Sequence, residues 1–119
     1  MVQANELRIG NYISYKNERW IKVGYHEIRY AVLYPDTSYY PIPLTFEILE
    51  KAGFELQIGM MSWEKEGVII CYETIANFFR LYPMTNRINN VHQLQYLYYA
   101  LTGEELEVNL SVVVARGTI

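Results

Sequence analysis

Two histidines, one cysteine and thirteen acidic side chains are the whole stock from which this chain could build a catalytic or metal centre. His26 and His92 lie far apart and neither has a cysteine beside it, so no zinc-binding spacing is present. Cys71 sits inside the apolar run VIICYE. That is the setting of a core thiol, whereas a reactive thiolate needs an electropositive, partly open site. No serine stands in a G-x-S-x-G elbow, and no glycine loop has phosphate-binding or dinucleotide-binding spacing. Carboxylates cluster at Glu104, Glu105 and Glu107, and Glu64 and Glu66 flank Lys65. Nothing in their pattern fixes either group in a cleft for acid–base work. The expectation is a protein that is not an enzyme, with no metal and no cofactor.

Two aromatic constellations remain. On the segment VHQLQYLYYALTGEEL, His92, Tyr96 and Tyr99 fall at i, i+4 and i+7, a helical stripe. Tyrosine joins an apolar body to a polar tip and is enriched at protein interfaces. With Trp63 of MMSW, these residues are the candidate contacts for a protein partner or for a second copy of the chain. SYYPIP, Ser38 to Pro43, adds apolar residues on an expected loop. The alternative is that the stripe packs inside the protein. The second constellation is Tyr12, Trp20, Lys22 and Arg29, joined by Arg8. Rings and cations on one outer sheet face are the equipment of single-strand nucleic-acid binders. The opposing reading is that Trp20 packs beneath a helix. A formal charge of −3 and a pI near 5.4 do not favour a dedicated polyanion binder. Charge is unevenly spread, +2 over residues 1–34 and −5 over 35–119, a difference ordinary for solvated faces.

The elements that must position these residues follow from periodicity. At 119 residues and 51% hydrophobic, the chain is long enough for one domain, 1–119, with a real core. Twelve tyrosines favour strands. Period-two patterning over 6–34 predicts a three-strand meander, with Ile28, Tyr30, Val32 and Tyr34 on one face of the third strand. PDTSYYPIP is expected as loop. LTFEILEKAGFE predicts a helix over about 45–52, with Thr45 as N-cap, Leu44 stapled to Leu49 and Gly53 as stop. Residues 54–82 are expected to be β-rich, ANFFRLYP included, and MTNRINN to be a polar connection. A helix over 91–102 starts at Asn90 and stops at Gly103, with Val91, Leu94, Leu97, Tyr98 and Leu101 as its packing stripe. Alternation from Leu106 to Val114 predicts a closing strand over 106–115. The fold class is α+β, with a largely antiparallel sheet or a small SH3-like, partly open barrel at the N-terminus, plus two helices. MVQANELRIG has no secretory pattern and no apolar run spans a bilayer, so the expected address is the cytoplasm, without membrane contact.

Three stretches, ANELRIGNYI, PIPLTFEILEKAGFE and VHQLQYLYYALTGEEL, resemble in order the landmarks of a family of short uncharacterised proteins of Bacteroidetes and their phages and mobile elements. The resemblance covers residues 4 to 106. It implies a bacterial or phage protein and carries no activity or catalytic residue. Members of that family often stop soon after Gly-Glu-Glu-Leu, so the resemblance marks EVNLSVVVARGTI as a departure. RIGNYI separately resembles the opening strand of SH3-like barrels, a likeness of fold that assigns no function.

Overall fold

The computed structural model describes residues 2, 4–16, 19–36, 39–57, 59, 61–84 and 86–109. They form an α+β fold of two antiparallel sheets and three α-helices, arranged as two lobes. In the N-terminal lobe, β1 (Tyr12–Tyr15) pairs with β2 (Arg19–Lys22) from Tyr12 opposite Lys22 to Tyr15 opposite Arg19. Directly opposed residues share a face. Tyr12, Ser14, Trp20 and Lys22 therefore lie together, and Ile13, Tyr15, Arg19 and Ile21 lie on the reverse. β3 (Tyr39–Tyr40) covers the other edge of β1. The lobe's core is small: Val2, Ile13, Val23, Ala31 and Tyr39, with Leu7, Tyr15, Ile21 and Ile28 packed against it.

The C-terminal lobe is a five-stranded meander of β4 (Glu55–Leu56), β5 (Ser62–Lys65), β6 (Val68–Glu73), β7 (Phe78–Leu81) and β8 (Arg87–Ile88). Glu66 and Gly67 both take positive φ, 51° and 80°, between the paired Lys65 and Val68. Two such residues twist with the strands and make a tight hairpin. Across this sheet lie α2 (Phe46–Lys51) and α3 (Val91–Thr102). Thr45 caps α2 by accepting from the Ile48 N–H at 3.2 Å. Gly53 follows with φ 92°, and a Cβ there would meet the Lys65 ammonium, which itself donates to the Ala52 carbonyl at 2.8 Å. Asn90 caps α3 through the Gln93 N–H at 3.0 Å, and Gly103 at φ 77° ends it. The core here gathers Leu49, Ile70, Ile88, Val91, Leu94 and Leu106, all at most 1% exposed, among many others.

Several expectations change. The predicted third strand, with Ile28, Tyr30, Val32 and Tyr34, is a helix, α1 (Tyr25–Leu33). Glu27 decides it locally by accepting the Gly24 N–H at 2.6 Å, which starts the helix. Glu27, Ile28 and Ala31 then face inward at helical spacing, while Tyr30, Val32 and Tyr34, the other residues of the alternation that suggested a strand, are exposed. The third strand of that sheet comes instead from SYYPIP, as β3. Of the two forms expected at the N-terminus, the structure has the antiparallel sheet, with no closed barrel. Arg87 and Ile88, expected in a polar connection, form β8. ANFFRLYP does supply a strand, β7. Residues 106–109 alternate as predicted, with Leu106 and Val108 buried and Glu107 and Asn109 exposed, but form no strand. The remainder of the predicted closing strand, 110–115, lies outside the described residues. Among the described residues no helix is long and apolar enough to cross a membrane.

A candidate binding cleft between the two lobes

RIGNY, at the entrance to β1, is a closed turn. The Asn11 N–H donates to the Arg8 carbonyl at 3.0 Å, and the Asn11 Oδ1 accepts the Arg8 N–H at 3.1 Å. Gly10 between them has φ 96°, a conformation that glycine adopts without strain. The turn is fastened to α3 by Gln95, which is fully buried. Its Oε1 accepts the Tyr12 N–H at 2.7 Å, and its Nε2 donates to the Gly10 carbonyl at 3.0 Å and the Leu106 carbonyl at 3.2 Å. Arg8 reaches back to Glu105 with two hydrogen bonds, at 2.5 and 3.2 Å, and lies over the Tyr99 ring at 4.9 Å.

Beside this junction is an open cleft of about 550 Å³. Asn5 and Glu6 of a 3-10 turn (Ala4–Glu6) form one wall, Arg8 and Asn11 another, and Arg87 and the first two turns of α3 close it. The volume falls within the roughly 300–1,000 Å³ of small-ligand sites. Four buried side-chain polar atoms lack a hydrogen-bond partner among the described residues: Arg8 Nε, Asn11 Nδ2, His92 Nδ1 and Trp63 Nε1. Three of the four belong to residues lining this cleft. Each costs about 1–3 kcal/mol if left so. His92 is 6% exposed, with Nε2 3.9 Å from Glu6 Oε1. Burial pushes its pKa below the usual value, against the pull of the Glu6 carboxylate, so the imidazole is neutral at neutral pH.

The predicted stripe on α3 divides. Tyr96 (60% exposed) and Tyr99 are on the surface, whereas His92 is buried. The inward face is Val91, Leu94, Gln95 and Tyr98, and Leu101, expected to pack, is exposed. Gln95 was the missed member. It completes an i, i+3, i+4, i+7 set, but its polarity hides it from an apolar count. Trp63 is not on an exposed loop. It lies in β5 at 3% exposure, with the Phe46 ring stacked on it at a centroid distance of 5.0 Å.

The expected nucleic-acid face is turned inward. Tyr12, at 2% exposure, belongs to the larger lobe's core, and Trp20 packs against that core. The Tyr12 hydroxyl donates to Glu107 at 2.7 Å, and Lys22 pairs with the same carboxylate at 3.1 Å. Burial first, and the carboxylate second, push the Tyr12 phenol up to about 12. Arg29 stands apart, exposed on α1. Cys71 is half-buried in β6 and His26 is exposed beside Tyr25. No group of three or more His, Cys, Asp or Glu that could hold a metal occurs among the described residues. No family model, no curated protein and no solved structure matches the chain.

Proposed function

We propose that this protein is a non-catalytic protein–protein interaction module, a cytoplasmic protein of bacterial or phage origin. The observation that carries the reading is α1. A surface helix ordinarily hides its large apolar side chains and shows its polar ones. Of the apolar residues on α1, only Ile28 and the small Ala31 pack inward, while Tyr25, Tyr30, Val32 and Leu33 are exposed, as is Tyr34 at its end. Tyr30 and Tyr34 lean together with centroids 4.6 Å apart, forming one aromatic ridge. Contiguous apolar surface of this kind marks an interaction site. Tyr96 and Tyr99 of α3 supply further exposed aromatic surface beside the cleft. The origin rests on the resemblance of the three sequence landmarks.

A second copy of the chain is the first partner to test. Sedimentation velocity from micromolar to millimolar concentration is expected to show self-association that Leu33→Glu abolishes. A monomer throughout that range removes the homo-oligomer form of the reading. The nucleic-acid alternative is weaker, because Glu107 engages Lys22 and Tyr12 is buried. Titration with single-stranded DNA and RNA at two salt concentrations separates the two, since phosphate binding weakens steeply with salt.

A further inference from the structure

We propose that β2 is a docking edge on which a protein partner lays an extended segment with the pattern acid–apolar–apolar–acid. This rests on the interaction-module reading and adds a second contact, with the chemistry of what it recognises.

Among the described residues β2 is the longest open edge. Its four residues pair with β1 on one side and with no described strand on the other. The other edge strands, β3, β4 and β8, have two residues each. Hydrogen bonding alternates along an antiparallel pair. The Val23 N–H donates to the Asn11 carbonyl at 2.7 Å, so Ile21 and Arg19 also turn their backbone groups toward β1. The Tyr12 N–H fits the same alternation: opposite Lys22, it points away from β2 and donates to Gln95. The N–H and C=O groups of Trp20 and Lys22 therefore point outward along the free edge. A strand laid there gains these main-chain bonds, which is how extended segments add to sheets.

The side chains set the selectivity. Arg19, Trp20, Ile21 and Lys22 read cation, apolar, apolar, cation, the same in either chain direction. Arg19 and Lys22 are exposed, and Trp20 and Ile21 are half-buried. Residues 16–22, KNERWIK, hold three cations and one acid. The Lys16 ammonium and the Arg19 guanidinium lie 5.3 and 5.4 Å from the centre of the same Tyr15 ring. Two like charges held so close gain from an anion beside them. Lys22 already meets Glu107, but its side chain stays 49% exposed, and an ammonium has three donors, so a second carboxylate can share it. Cations on an edge strand ordinarily keep other strands away. Here they admit an acidic strand and repel a basic one. The β2 strand of a second copy would bring the same cations and is disfavoured on this edge.

The test uses the full chain, isotopically labelled, and two acetylated, amidated peptides: Thr-Glu-Val-Val-Glu-Thr and its copy with lysine at both glutamates. Backbone NMR signals and amide hydrogen exchange of residues 19–22 are followed in titration at two salt concentrations. The acidic peptide is expected to shift and protect the Trp20 and Lys22 amides, while the Arg19 and Ile21 amides, already bonded to β1, keep their exchange rates. It is expected to bind about tenfold more tightly than the basic peptide, as two reversed surface ion pairs imply, with the gap narrowing as salt rises. Arg19→Glu, at an exposed site, should shrink that gap. Silence at Trp20 and Lys22 with millimolar acidic peptide overturns the proposal, and this wild-type comparison needs no variant to fold. Equal affinity for the two peptides also overturns it. So does protection of Trp20 and Lys22 that appears without peptide and grows with protein concentration, since a second copy then holds the edge. Self-association through α1 is measured separately, so a silent edge in an associating protein defeats this inference and leaves the module reading standing.

Discussion

The two lobes contain similar secondary structure but dispose of their apolar side chains in opposite ways. In the C-terminal lobe, α2 and α3 bury Ile48, Leu49, Val91, Leu94 and Tyr98 with the meander sheet. In the N-terminal lobe, α1 turns its tyrosines, valine and leucine to the outside and packs on its own core through Ile28 and Ala31. The first lobe has the core of a self-sufficient structure. The second has the surface of something completed by contact, and it leans on its neighbour, since Tyr12 sits in the larger lobe's core and Trp20 packs against it. Burial of apolar area is the dominant favourable term in folding and in association alike. A helix that withholds its apolar face from the first has it available for the second.

This contrast can be broken at the large core first. Leu94→Ala, at a fully buried position, is expected to cost about 2–5 kcal/mol through lost transfer energy and a residual cavity. Urea unfolding measures it, and hydrogen exchange should show amides of both lobes losing protection. If the N-terminal lobe kept its protection, its dependence on the larger core would be refuted. Next is the clip. Gln95→Leu leaves the Tyr12 N–H and the Leu106 carbonyl buried without partners. The expected cost is at least about 2 kcal/mol, from two groups at about 1–3 kcal/mol each, with the Gly10 carbonyl still within reach of water. Here exchange should rise in β1 and β2 well before β5 and β6, which isolates the coupling between lobes.

A smaller effect comes from His92. Its folded pKa is depressed by burial, while the unfolded side chain titrates near 6.5. The unfolded state therefore binds the proton more readily, and stability is full above that value and is lost as pH falls through the folded pKa. The charged groups lining the cleft around it are Glu6, Arg8 and Arg87. His92→Phe should flatten the pH dependence of the urea midpoint below about 6.5, and an unchanged slope would remove His92 as its source. The smallest expected change is the most telling about α1. Leu33→Glu, at an exposed site, should alter stability by no more than about 0.5 kcal/mol while weakening self-association. A large loss of stability would mean that α1 is packed within its own chain after all.

The helix ends were readable from sequence because their causes are local. Thr45, Asn90 and Gly103 act on backbone groups within four residues of themselves, and the structure places each in the expected role. The burial of alternate residues 106 and 108 was readable in the same way. What was not legible depends on distant partners. Alternation from Ile28 to Tyr34 describes a strand only if one face is to be buried, and on α1 Ile28 alone of that set packs inward while Tyr30, Val32 and Tyr34 stay outside. The cleft was half visible. His92 and Tyr96 were singled out on their helix, whereas Asn11 and Arg8 join them only because Gln95 draws an N-terminal turn against α3. Trp63 illustrates the reverse error, an aromatic of MMSW read as an exposed loop residue and placed inside by a strand register that no local rule supplies.

The fastening of residues 10–12 by Gln95, and of Tyr12 and Lys22 by Glu107, also has a temporal side. During synthesis the amino end emerges first, and domains ordinarily fold in that order. Here the first sheet can form its hairpin early, yet the buried amide of Tyr12 has no acceptor, and the ring no cover, until the helix at 91–102 and the five residues beyond Gly103 have left the ribosome. Assembly of the first-made lobe thus waits for nearly the last part of the described chain. Contacts across so many intervening residues slow folding by the entropy of closing the loop.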